Sequence, residues 1–150
     1  MERRENGTLE SLFSDIMRLH RIRSMKIFGS LGMYRGQPAI LFRLWERDGI
    51  PQKEIAEAIG VVPATVTIML RRMEKAGWLE RRADSADRRS SLVFLTEKGR
   101  AIRERLVEAK SRLNEACFRG FSDDERKALG MSFGRMLANL SEAGLDGEGK

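Results

Sequence analysis

From Leu9 onward, apolar residues return at every third or fourth position. Leu9, Leu12, Phe13, Ile16, Leu19, His20 and Ile27 fall on one side of a 3.6-residue period, which predicts a long helix from Thr8 to about Phe28. Gly29-Ser30-Leu31-Gly32 and Gly36 interrupt it. Pro38 then suits a first helical position, Ile40, Leu41, Leu44 and Trp45 form an apolar stripe, and Gly49 is placed to close that helix. A short helix is expected over Gln52–Ile59, ended by Gly60. Another starts at Pro63 and runs to about Ala76, before Gly77.

The period changes after Gly77. Trp78-Leu79-Glu80-Arg81-Arg82 and Leu92-Val93-Phe94-Leu95 are short strand-like runs around the polar loop 83–90, a hairpin with an extended tip. Thr96 is placed to cap a following helix that carries Ile102, Leu106, Ala109, Leu113, Ala116 and Cys117. Ser122 and Glu125 have capping-box spacing and open a last helix with Leu129, Phe133, Met136, Leu137 and Leu140. Residues 141–150 are Gly-rich and expected to fray. The fold class is therefore mainly α with a small β-hairpin wing.

The segment Gln52–Met73 carries the functional signal. Ala56 is small where two helices must approach. Gly60 lies four residues later, where the turn needs a left-handed backbone, and Val66 lies six residues further on an inner face. With Ile55, Ile59, Val61, Met69 and Leu70 these make the apolar seam of a helix-turn-helix. The outer face of the second helix offers Pro63, Ala64, Thr65, Thr67 and Ile68, then Arg71, Arg72 and Lys75. Short side chains suit a helix end that reaches base edges, and later cations suit phosphates. The same face would also serve as an ordinary solvated one. The hairpin, with Arg81, Arg82, Arg88 and Arg89, favours DNA: a helix-turn-helix followed by a basic wing is a winged helix whose tip can enter a minor groove.

Charge agrees with an anionic partner. The 150 residues hold 28 Lys and Arg against 22 Asp and Glu, a net charge of +6. Of this, residues 1–34 contribute 6 − 4 = +2, residues 35–100 contribute 13 − 9 = +4 and residues 101–150 contribute 9 − 9 = 0. One Cys and one His leave no disulfide framework, Cys-rich zinc site or His-clustered metal site. With no Gly-rich phosphate loop either, we expect no catalytic residues, no metal and no cofactor. No apolar run approaches a membrane span, so the expected partners exclude a membrane and the expected location is the cytoplasm.

In order, Ile59-Gly60-Val61, Met73-Glu74-Lys75-Ala76-Gly77-Trp78-Leu79-Glu80-Arg81-Arg82, Asp84-Ser85-Ala86-Asp87-Arg88-Arg89 and Leu95-Thr96-Glu97-Lys98-Gly99 make the sequence resemble the MarR family of bacterial transcriptional regulators. The resemblance covers nearly the whole chain. It implies a winged helix-turn-helix (37–96) flanked by N- and C-terminal dimerisation helices (9–33 and 97–142) within one subunit, 1–150. It also implies a homodimer on pseudo-palindromic double-stranded DNA, most often as a repressor, with release by a small aromatic or phenolic effector. Arg89 matches the wing arginine that enters the minor groove, and Asp87 the acid that orients it. Two positions depart from the family: Val62 stands where Ser is frequent, and Ile68 where Arg is frequent. The alternative to a specific regulator is a winged helix serving as an architectural or protein-interaction module without an operator.

The dimer expectation has a basis of its own. Segments 9–28 and 100–140 are apolar on one side yet flank a winged helix that already has a core, so their faces need a partner. His20 reads as partly buried at the edge of the core or interface, or alternatively as a ligand contact. Met17 reads as core filler or as part of an adaptable pocket. Cys117, on an apolar side, is expected to be a buried structural thiol. Gly130 and Gly134 are four apart, as for close helix approach at the interface.

Overall fold

The computed structural model describes residues 7–84 and 91–142. In chain order the elements are α1 (Leu9–Gly29), α2 (Gln37–Glu46), β1 (Ile50–Pro51), α3 (Gln52–Ile59), α4 (Pro63–Lys75), β2 (Leu79–Ala83), β3 (Ser91–Leu95), α5 (Glu97–Ala101), α6 (Arg103–Phe118) and α7 (Asp123–Glu142). The chain divides into two compact units, 1–113 and 114–150, and the division falls inside α6.

In the first unit the core belongs to the winged helix. Ile40, Leu41 and Leu44 of α2, Ile55 of α3, Val66, Leu70 and Met73 of α4, and Leu79 and Val93 of the sheet are fully buried. Each large aliphatic side chain removed from water in this way contributes about 1.5–3 kcal/mol. Met33 of the turn before α2, and Ile102 and Leu106 at the start of α6, close the same cluster.

The expected helices appear with small shifts. Thr8 caps α1, accepting a hydrogen bond from the Ser11 amide at 3.2 Å. Pro38 lies in the first turn of α2. That helix ends at Glu46, before Gly49, which we had expected to be its stop. The Gly49 amide instead donates to the Val93 carbonyl at 3.0 Å as the chain enters β1. The strand β1 was not foreseen: two residues ending in a proline carry no alternation to read. It pairs antiparallel with β3 (Ile50 with Val93, Pro51 with Leu92), so the sheet order is β1-β3-β2. Thr96 caps α5 as expected, and the single helix expected after it is split at Ile102.

The second unit is built on α7. Its capping box forms as the spacing requires: the Ser122 amide donates to a Glu125 carboxylate oxygen at 2.7 Å and the Glu125 amide to the Ser122 hydroxyl at 3.3 Å. Hydrogen bonding of the Glu125 carboxyl to the Ser122 amide first, and to the Ser122 hydroxyl second, holds it below the usual carboxylate range. Phe118 and Phe121 meet edge-on at 6.2 Å in the connection before α7. Among the described side chains of α7, 123–141, none is buried.

Candidate nucleic-acid interface

The arrangement of α3 and α4 is fixed by one turn. Gly60 takes the left-handed conformation (φ 64°, ψ 39°), which lets its amide reach the Glu57 carbonyl and the Val61 amide reach the Ala56 carbonyl at 3.1 Å. That pair of bonds is a Schellman ending, and it turns the chain sharply into Val62 and Pro63. Ala56 is buried beneath the crossing.

Rotation of about 100° per residue places the side chains of α4. Val66, Leu70 and Met73 point to the core and are fully buried. The exposed residues Ala64, Thr65, Ile68, Arg71, Arg72 and Lys75 then fall within an arc of about 120°, with Ile68 near its middle. Ile68 is 52% exposed, so the line Thr65–Ile68–Arg72 faces outward as the sequence predicts. Thr67 lies at the margin of the arc and is only half-exposed. Its hydroxyl donates to the Pro63 carbonyl at 3.0 Å and accepts from Gln52 Nε2 at 2.6 Å. Thr67 is thus tied to the start of α3 and contributes less to the outer face than expected.

The cations of the molecule divide into two groups. Arg43 is held by Glu46 and Glu54, both at 2.9 Å, and Arg47 pairs with Glu54, which locks α2 to α3. Arg81 donates to Glu74 at 2.7 and 3.2 Å, and this bond keeps the Glu74 carboxyl below its usual value. Arg82 pairs with Glu80 and lies 4.6 Å over the Phe94 ring. Arg81 and Arg82, read from the sequence as part of a basic wing, are therefore engaged at the base of the hairpin. Arg71, Arg72 and Lys75 are exposed and have no carboxylate partner among the described residues. Asp87, Arg88 and Arg89 lie outside the described residues.

Two residues that sequence reasoning missed hold this surface in place. Asp48 Oδ1 accepts from the Leu95 amide at 2.9 Å, and its Oδ2 accepts from Arg100 at 2.8 Å, so one side chain ties the root of the hairpin to α5. Gln52, fifteen residues before Thr67, bridges α3 to α4. Neither contact leaves a local spacing signal. At Val62 the structure confirms that the start of α4 has no side-chain cap.

The remaining candidates lie outside the core of the single subunit. Met17 and His20 are both exposed on α1, so His20 does not lie at the edge of the subunit's own core. Cys117 is exposed too. It continues the buried line Leu106–Ala109–Leu113, but that core stops one turn short of it. A Cβ added at Gly130 or Gly134 would meet nothing within 4 Å, so neither permits a close approach within the subunit.

A helix-turn-helix followed by a strand hairpin that pairs with a third short strand defines the class: a winged helix-turn-helix protein. A family model described as MarR family matches residues 33–91. The chain is 32% identical to a MarR of known crystal structure, covering 94% of this chain and 95% of that one with a TM-score of 0.77. It is 28% identical to a MarR transcriptional regulator from Methanosarcina mazei Go1, over 89% and 96% of the two chains, with a TM-score of 0.80. It is also 26% identical over 132 residues to the HTH-type transcriptional regulator MgrA of Staphylococcus aureus, 88% of each chain. The chain belongs to the MarR family.

Proposed function

We propose that the chain is a DNA-binding transcriptional regulator, a repressor that acts as a homodimer on a pseudo-palindromic operator. The observation that carries this reading is the outer arc of α4. Its first two turns present short side chains, and its last turns present three cations with no carboxylate partner among the described residues. A helix held out by a tight turn, with those features, suits a major groove. Pro63, Ala64, Thr65, Thr67, Ile68, Arg71, Arg72 and Lys75 are its contact residues on α4, and Asp87, Arg88 and Arg89 those of the wing. The names of the relatives, transcriptional regulators without a catalytic designation, support the same reading.

The second copy is called for by the flanking helices. Leu9, Leu12, Ile16, Met17, Leu19, Ile22 and Met25 of α1 are exposed, as are Met131, Phe133, Met136, Leu137 and Leu140 of α7. Apolar faces of this extent on a helix mark an interaction surface. In the dimer the two copies of α4 would lie about 34 Å apart, one turn of DNA. No described helix is long and apolar enough to cross a membrane. A regulator of this kind works in the cytoplasm, beside the chromosome. A small aromatic or phenolic effector would act by favouring a dimer whose recognition helices no longer match that spacing, with Met17 and His20 as its candidate contacts.

Selection of bound fragments from genomic DNA tests the reading. The expected result is enrichment of one inverted repeat, with affinity falling as salt rises by a log–log slope of about −0.9 per phosphate neutralised. Equal retention of all duplexes would overturn it in favour of an architectural module.

A further inference from the structure

The first two turns of the outer arc of α4 lack the groups that read bases by paired hydrogen bonds. Between Val61 and Leu70 there is no Arg, Lys, Asn, Gln, Asp or Glu. Two hydroxyls are present. That of Thr67 donates to the Pro63 carbonyl and accepts from Gln52 Nε2. Thr65 is left as the one exposed hydroxyl of these turns. The first cation, Arg71, stands eight residues after Pro63, about 12 Å along the axis. Cations that far behind the entering N-terminal end suit the flanking phosphates.

What the arc does present is aliphatic. Ile68 lies at its centre, and Val62, the extended residue just before the helix, is 65% exposed. A hydroxyl or amide at position 62 would have capped the helix, and valine supplies no such bond. A single exposed aliphatic residue is ordinary on a protein surface. Two of them on a groove-facing helix end, beside Ala64 and without a polar reader, leave one base feature they can recognise. In the major groove that apolar feature is the C5-methyl group of thymine.

We infer that this protein selects its DNA by pyrimidine C5-methyl groups, with Ile68 as the principal reader and Val62 as the second. The inference rests on the reading of α4 as the groove-facing helix. It has a chemical consequence beyond a preference for thymine. A 5-methylcytosine carries the same methyl at the same place in the groove, so methylation of a cytosine at a position read by Ile68 strengthens binding.

The test uses the full-length protein and the duplex it selects from a randomised library. Each thymine of the half-sites is replaced in turn by uracil, which removes the methyl and leaves the base pair and its O4 acceptor in place. At one or two positions per half-site the replacement should weaken binding about fourfold, the value of one buried methyl. At one of them the loss should vanish in Ile68→Ala, and at a second, where present, in Val62→Ala, with both variants melting like the parent. Cytosine placed at the Ile68 position should bind about fourfold more weakly than 5-methylcytosine there. A protein that still prefers its operator to random duplex, yet binds the uracil and thymine forms equally, would overturn the inference and leave the proposed function standing. A uracil penalty that persists in full in Ile68→Ala and Val62→Ala would also overturn it. No preference among duplexes at all would remove both the inference and the reading beneath it.

Discussion

The winged helix and the long helices on either side of it bury their apolar residues to very different extents. Across α2, α3, α4 and the sheet, the inward residues are covered by the chain itself, with Ile40, Leu41, Ile55, Val66, Leu70 and Met73 wholly removed from water. In α1 and in the described side chains of α7 none is buried, and leucines and methionines stand exposed along both. Both regions have helical periodicity in the sequence. Periodicity fixes which residues share a face. It does not fix whether that face meets the same chain or another. The difference separates a part that buries its own apolar face from parts that leave theirs exposed, the faces that the proposed dimer would cover.

The largest effect should come from breaking the self-contained part. Leu70→Ala leaves a cavity between α4 and the sheet and should cost about 2–5 kcal/mol in denaturant unfolding. The same truncation at Leu137, exposed on α7 of the single subunit, should cost less than that and appear chiefly as weaker self-association in sedimentation. Equal losses at the two sites would erase the contrast.

The wing should act on binding rather than folding. Arg89→Ala should weaken operator binding by about 1–3 kcal/mol, measured by fluorescence anisotropy, with melting temperature and dimerisation unchanged. Affinity within error of the parent would remove Arg89 from the interface.

Ile68→Arg sharpens the comparison within α4 itself. Because Ile68 is exposed, the added charge should change unfolding free energy by less than about 0.5 kcal/mol. Library selection should show a shift toward guanine, which a guanidinium contacts through O6 and N7. A large fall in stability with unchanged base preference would mean that the helix presents a different face.

The smallest effect concerns pH. Arg81 lowers the Glu74 carboxyl below its ordinary value of 4.5. A depressed folded value contributes stability that is complete above the ordinary value and is lost as pH falls through the depressed one. The tie between α4 and β2 should therefore hold at neutral pH and weaken only below about 4.5. In Arg81→Ala, NMR titration of Glu74 should show a higher value than in the parent. No change would mean that the ion pair is not formed in solution.

Much of the interface was legible because punctuation and period agree there. Gly60 and Pro63 bracket the turn, and Ala56, Val66 and Leu70 mark the inner seam, so α3 and α4 could be read to within a residue. What was illegible depends on distant partners. Backbone pairing with β3 creates β1, which two residues cannot announce. Arg81 and Arg82 look like wing cations until Glu74 and Glu80 are seen beside them. Cys117 lies on the correct line of α6, and only the folded chain shows that the core ends before it. Thr67 was read as an outward hydroxyl because nothing local points to Gln52.

The claim that the two regions differ in what completes them is tested most directly by sedimentation equilibrium of the intact protein over a micromolar concentration range. The account predicts a dimer throughout, with the exposed faces of α1 and α7 covered by the second copy. A stable, folded monomer at those concentrations would contradict it.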